Sequence, residues 1–121
     1  MSPNKDVVKS YYVSFSDLDR PRVLSYLTDD VEWTEWAQGF SGSGVPKRGK
    51  EAFSQNISDP PGEGHLRVET TRMTEENDVV VAENIIQVPL KEGGFITIRA
   101  LDIFQFEKGK IKRSNSFTVQ V

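Results

Sequence analysis

The 121-residue chain has no cysteine and a single histidine, His65. Without thiols there is no disulfide framework and no thiolate nucleophile, and one imidazole leaves a zinc site short of its usual ligands. Neither a metal nor a cofactor is expected. The chain also lacks a long apolar run: nothing approaches the ~20 residues that span a bilayer, and the opening MSPNKDVVKS has no apolar core of the kind that begins a secretory leader. A soluble cytoplasmic protein with no membrane partner is expected. A basic stripe is missing as well. The 15 Lys and Arg and 18 Asp and Glu side chains are interspersed, with a formal charge of −3, so nucleic acid is not an expected partner. What is present, 36% hydrophobic and 27% charged residues, suffices for one core, and a single domain over residues 1–121 is expected.

The pattern then changes from helical to strand-like along the chain. Ser2 is a candidate N-cap with Pro3 in the first turn, and Val7, Val8, Tyr11, Phe15 and Leu18 fall on one helical stripe. Asp19 can cap a second helix that tolerates Pro21 in its first turn and buries Val23, Leu24 and Leu27. From Val31 the chain alternates, with Val31, Trp33 and Glu35 on one side and Glu32, Thr34 and Trp36 on the other. The Gly-rich loop QGFSGSGVPKRGK leads to a short helix around Glu51 to Ile57, ended by the breaker segment SDPPGEGH. Residues 66–74, 79–90, 95–107 and 111–121 read as strands joined by EEND, KEGG and KG turns. Three helices in the N-terminal half followed by a meander predict an α+β domain, a curved antiparallel sheet with helices on one side.

One strand carries a residue out of keeping with its face. Ile96, Ile98, Ala100, Asp102, Phe104 and Phe106 share a side, which sets a carboxylate in the middle of an apolar stripe. With Lys108 and Gly109 at the hairpin tip, regular alternation pairs Phe106 with Ile111, Phe104 with Arg113, Asp102 with Asn115, Ala100 with Phe117 and Ile98 with Val119. A one-residue slip would set Lys112, Ser114 and Ser116 against the stripe, so Asn115 is the expected partner of Asp102. A buried carboxyl needs such a partner or a proton. It serves either to fix the register or to furnish a pocket, and two further polar groups favour the pocket: Glu35, on the side of Val31 and Trp33, and the Tyr11 hydroxyl within the helical stripe. A carboxylate base, a phenol and a second acid among apolar faces form an acid–base constellation. Each alone has a plainer reading, Tyr11 as a core tyrosine and Glu35 as a strand-end residue in solvent. Trp33, Phe104, Asn115, Phe117 and Asn84 are the expected substrate-binding residues.

Other motifs carry less. GVPKRGKE fits G-x-x-x-x-G-K, but Glu51 replaces the magnesium-binding hydroxyl and no apolar strand precedes it. His65 belongs to the breaker loop, and Asn56-Ile57-Ser58 is a glycosylation sequon without a secretory context. Lys47, Arg48 and Lys50 read as a solvated cluster at the start of a helix.

Over nearly its whole length the chain resembles the nuclear transport factor 2-like superfamily, in particular its SnoaL-like and ketosteroid-isomerase-like members. The resemblance rests on VVKSYYVSFSDLDRPRVLSYLTDDVEWTE, the RGKEAF helix and LDIFQFEKGKIKR. It implies a cone, a bent sheet wrapped around a long helix with a pocket at the open end. Position by position it implies a tyrosine donor at Tyr11, a catalytic carboxylate at Glu35, here one methylene longer than the family's aspartate, and a protonated acid at Asp102. Arg99-Ala-Leu-Asp102 departs from the Arg-x-Asp strand of limonene-epoxide-hydrolase-like relatives, and the last hairpin lacks the histidine of the ester-cyclase-like branch. The expected function is an isomerase- or cyclase-type enzyme on a small apolar carbonyl compound, a noncatalytic carrier using the same pocket, or a dimerisation module with a vestigial one. Arg99, Leu101 and Ile103 lie on the outer face of the hairpin and are the expected contacts of a homodimer.

Overall fold

Ser2 caps the first helix, its hydroxyl accepting the Lys5 amide at 3.3 Å, and α1 (Pro3–Ser16) follows with Pro3 in its first turn. Asp19 accepts the Arg22 amide and caps α2 (Arg20–Ser25). Both caps were legible because capping is local chemistry: a short polar side chain satisfies an amide that the helix cannot. The computed structural model describes residues 2–38, 44–55, 57 and 62–121. Part of the Gly-rich loop (39–43), the sequon positions 56 and 58, and the start of the breaker segment (58–61) lie outside the described residues.

Six strands follow: β1 (Leu27–Gln38), β2 (Lys47–Arg48), β3 (Arg67–Glu76), β4 (Val79–Pro89), β5 (Phe95–Glu107) and β6 (Lys110–Gln120), with α3 (Lys50–Ser54) between β2 and β3. The first strand begins at Leu27, four residues before the alternating pattern. Lys47 and Arg48, read as a solvated cluster, form a two-residue strand on β1, where Arg48 meets Glu32 at 2.8 Å. The strands form one curved, unclosed sheet in the order β2-β1-β6-β5-β4-β3, an α+β cone with the helices on its concave side. Tight turns close two hairpins. Asn77 and Asp78, at φ 54° and 63°, join β3 to β4, and Lys108 and Gly109, at 50° and 79°, join β5 to β6, the left-handed geometry of two-residue hairpin loops. The sheet departs from the expected antiparallel meander in one pairing: β1 runs parallel to β6. Alternation reports faces, not directions, and this contact joins distant parts of the chain.

The second departure is a register shift. Phe106 pairs with Ile111 as expected, but Gln105 pairs with Arg113, which leaves Lys112 as an extra residue in β6. Opposite the same point, β1 passes from Leu27↔Ile111 to Glu32↔Arg113. A bulge inverts the facing of every residue beyond it. Asp102 therefore pairs with Ser116, Ile103 with Asn115 and Leu101 with Phe117. The expected Asp102–Asn115 pair is overturned, and Phe117 lies outside, 40% exposed and stacked on Trp36 at 6.0 Å.

The core lies between α1, α2, α3 and the concave face, where Val8, Val23, Leu27, Val31, Ile57, Val80 and Ile111 are fully enclosed. Phe104 is its pivot, edge-on to Tyr11 at 5.5 Å and to Tyr12 at 6.0 Å. No described helix is long and apolar enough to cross a membrane. Phe104→Ala is expected to lower the unfolding free energy by ~3–5 kcal/mol, and Phe104→Leu by clearly less, measured by urea denaturation.

Candidate functional site

A cavity of about 140 Å³ opens between α1 and the concave face. Its apolar wall includes Phe15, Trp33, Phe53, Val68, Ile86 and Phe104, and its polar groups include Tyr11, Tyr12, Glu35, Asp102, Ser114 and Ser116. Each polar group is delivered by a regular element. Tyr11 and Tyr12 occupy neighbouring positions on α1, Glu35 and Trp33 alternate on β1, Asp102 and Phe104 alternate on β5, and the bulge at Lys112 brings in Ser114 and Ser116 from β6.

Asp102, 8% exposed, is the centre of a hydrogen-bond cluster. The Tyr12 hydroxyl lies 2.5 Å from Oδ2, Asn84 Nδ2 donates to the same oxygen at 3.2 Å, and the Ser116 hydroxyl donates to Oδ1 at 2.6 Å. Asn84 also donates to the Tyr12 oxygen at 2.9 Å, and its own Oδ1 accepts the Thr70 hydroxyl at 2.8 Å. Burial raises the Asp102 pKa, while Ser116, Tyr12 and Asn84 pull it back down. The Tyr12 hydroxyl is pushed well above the ordinary phenol range by burial first and by the Asp102 charge second. Tyr11 is raised by burial, then by Asp102 and by Glu35. Among the described residues the Tyr11 hydroxyl has no hydrogen-bond partner, and the Trp33 indole N–H is buried without one.

Of the eight residues singled out in the sequence, Tyr11, Glu35, Asp102, Trp33 and Phe104 line this cavity. Asn84 stands behind it, bonded to Asp102, and Asn115 and Phe117 are carried to the opposite face by the bulge. Tyr12, Ser114 and Ser116 were missed. Tyr12 was legible only as the second residue of the Tyr11-Tyr12 pair, and the two serines as the polar positions that a slipped register would turn inward. His65 is away from the cluster, its Nδ1 3.0 Å from the Ser16 carbonyl. Among the described residues no cluster of His, Cys, Asp and Glu could hold a metal ion.

A curved sheet enclosing a helix and a polar-centred apolar cavity is the architecture of nuclear transport factor 2-like proteins. The SnoaL-like domain model matches residues 8–114, and the chain belongs to that family. No protein of curated function matches. A nuclear transport factor 2-like protein of unknown function from Burkholderia pseudomallei is 27% identical, with a TM-score of 0.78 over 96% of this chain and 90% of its own. A Mycobacterium tuberculosis protein in complex with estradiol-17beta-hemisuccinate shares the fold at 18% identity, with a TM-score of 0.78 and coverage of 96% and 93%. TerC, co-crystallised with polyporic acid, is 24% identical, with a TM-score of 0.74 and coverage of 95% and 90%.

The raised Asp102 pKa has a consequence for stability. Between the ordinary carboxylate value and the folded one, the folded chain holds a proton that the unfolded chain has released, so stability falls as pH rises through that window and levels off above it. Asp102→Asn removes this titration. The stability of the variant relative to the parent chain is expected to rise with pH across the window in urea denaturation at a series of pH values, and a difference that stays flat contradicts it.

Proposed function

We propose that the chain is a cytoplasmic small-ligand pocket protein of the acid–base type, an isomerase or cyclase acting on a small apolar carbonyl compound. Glu35 is the general base that removes a proton beside the carbonyl, and Tyr11 together with the Asp102 side of the cavity stabilises the negative charge that develops on oxygen. The observation that carries this reading is the meeting of Glu35, Tyr11, Tyr12 and Asp102 in one cavity whose wall is largely apolar. Its volume of about 140 Å³ is close to the ~150 Å³ of an engineered cavity that takes up benzene, which favours a ring-sized ligand. The Tyr11 hydroxyl, without a hydrogen-bond partner among the described residues, supplies a donor for a carbonyl oxygen. The steroid derivative and polyporic acid held by two fold neighbours support ligand binding by this scaffold.

The enclosed state of Asp102, with three donors on its two oxygens, favours one second reading, a carrier in which the cluster only shapes the cavity. Exchange of α-protons for deuterium in small cyclic ketones, followed by NMR, separates the two. An enzyme accelerates exchange, and Glu35→Gln is expected to remove ~10²–10⁴-fold of that rate while ketone affinity is retained. A carrier binds the ketones and exchanges nothing.

We also propose that the outer sheet face pairs with a second copy of the chain. Leu101 is 37% exposed and directly opposite Phe117, which stacks on Trp36, itself 46% exposed, and Ile103 and Arg99 extend the same face. This is a contiguous apolar patch of the kind that interfaces cover. Leu101→Glu is expected to convert a dimer to monomers in sedimentation velocity, and a parent chain that sediments as a monomer contradicts the proposal.

A further inference from the structure

Among the described residues two buried polar side-chain atoms have no hydrogen-bond partner, Thr28 Oγ1 and Trp33 Nε1. Thr28 does not line the cavity, whereas Trp33 does. Trp33 is 4% exposed and its N–H is closed to water, so neither protein nor solvent satisfies it in the free chain. Nearly every buried N–H in a folded protein is paired, and an exception in a cavity wall finds its explanation in what the cavity receives. The sheet register sets a second unpaired group beside it. β1 meets β6 through Trp33↔Ser114, and β6 meets β5 through Ser114↔Phe104, so these three share one row of the concave face. Ser114 lines the cavity, and among the described residues its hydroxyl has no hydrogen bond. The next row along the same strands is Glu35, Ser116 and Asp102. Residues two apart on a strand are separated by ~6.5 Å. The cavity therefore has two polar ends about a ring's width apart, one of acids and one of neutral groups.

We propose that the Trp33 indole N–H and the Ser114 hydroxyl form a second binding end of the cavity, which takes an oxygen on the far side of the ligand ring from the carbonyl held at Glu35 and Asp102. The ligand class is then a six-membered ring with oxygens at opposite corners, a 4-hydroxy or 4-oxo cyclic ketone. The inference rests on the pocket reading above and narrows its substrate class. An indole N–H only donates, so its partner must offer a lone pair, whereas the serine hydroxyl donates or accepts. A ligand carbonyl takes a hydrogen from both groups. A ligand hydroxyl takes one from Trp33 and gives its own to Ser114. Both groups are neutral and the Phe53 ring stands edge-on to Trp33 at 5.0 Å, which suits a neutral oxygen over a carboxylate, since an ion buried there would have no counter-charge. The N–H, closed to water in the free chain, reaches the guest by a tilt of the indole against Phe53. Such a site rejects an analogue that lacks the oxygen, because the buried donor then stays unpaired.

The test compares 4-hydroxycyclohexanone with 4-methylcyclohexanone, which present a hydroxyl or a methyl group of similar size at the same corner, their affinities read by NMR titration. The ratio of the two affinities, hydroxyl over methyl, is expected to fall ~2- to 10-fold in Trp33→Phe, which keeps a ring against Phe53 without the N–H, and by a similar factor in Ser114→Ala. A ratio that both variants leave unchanged overturns the second binding end while the pocket reading stands. A further arm uses the parent chain, whose two tryptophans give two indole N–H signals, that of Trp33 being assigned with Trp36→Phe. The Trp33 signal is expected to move downfield when the cavity is saturated with the hydroxy ketone and to move less with the methyl ketone. An equal response to both ketones overturns the proposal, whether or not Trp33→Phe folds. A parent chain that binds neither ketone contradicts the pocket reading and the second end together.

Discussion

A carboxyl group enclosed by the concave face of the sheet is the constraint on which the rest of this structure turns. An unsatisfied or unpaired Asp102 would destabilise the fold by more than most side chains contribute, so every neighbouring element supplies it with a partner. Tyr12 reaches it from α1, Asn84 from β4 and Ser116 from β6, and Thr70 on β3 holds Asn84 in the orientation that serves it. The cluster thereby fixes the depth at which α1 sits in the cone and the relative register of four strands. The apolar contacts around it, Phe104 against both tyrosines above all, supply the bulk of the burial but would tolerate sliding far better than hydrogen bonds do.

The bulge at Lys112 belongs to the same constraint. Regular alternation would have buried Asn115 and Phe117 and exposed Ser114 and Ser116. The observed pairing turns Ser114 and Ser116 to the side of Phe104 and Asp102 and leaves Phe117 and Val119 at 40% and 43% exposure on the convex side. Loss of that apolar burial is offset by a hydroxyl placed 2.6 Å from Asp102 and by a polar strip along the cavity. The price of the pocket is thus visible on the opposite face, where Trp36 and Phe117 stack in the open.

Local chemistry made much of this legible before the structure. Ser2 and Asp19 announce their helices, Lys108-Gly109 announces its hairpin, and Asp102 stands out because a charged side chain interrupts a strand face that is otherwise apolar. What escaped depends on contacts between distant segments. The parallel pairing of β1 with β6 leaves no mark on the alternation of either strand. A bulge is a single extra residue, and Lys112 looks like any other strand position. Tyr12 was overshadowed by Tyr11 because helical spacing favours one residue of an adjacent pair for the buried stripe, whereas α1 lies in a concave sheet that reaches round to both. Family resemblance pointed to the acid at Asp102, but what surrounds that acid in this chain is particular to Tyr12, Asn84 and Ser116.

The protonation state of Asp102 decides between a cluster that only braces the fold and one that also stabilises negative charge in the cavity. Carboxyl-carbon NMR of Asp102 through a pH titration, assigned with the asparagine variant, measures it directly. A midpoint above the ordinary carboxylate value of ~3.9 is expected, because burial outweighs the three donors. A midpoint at or below that value would mean that Tyr12, Asn84 and Ser116 hold the carboxylate ionised, and the role of Asp102 at a developing negative charge would be wrong.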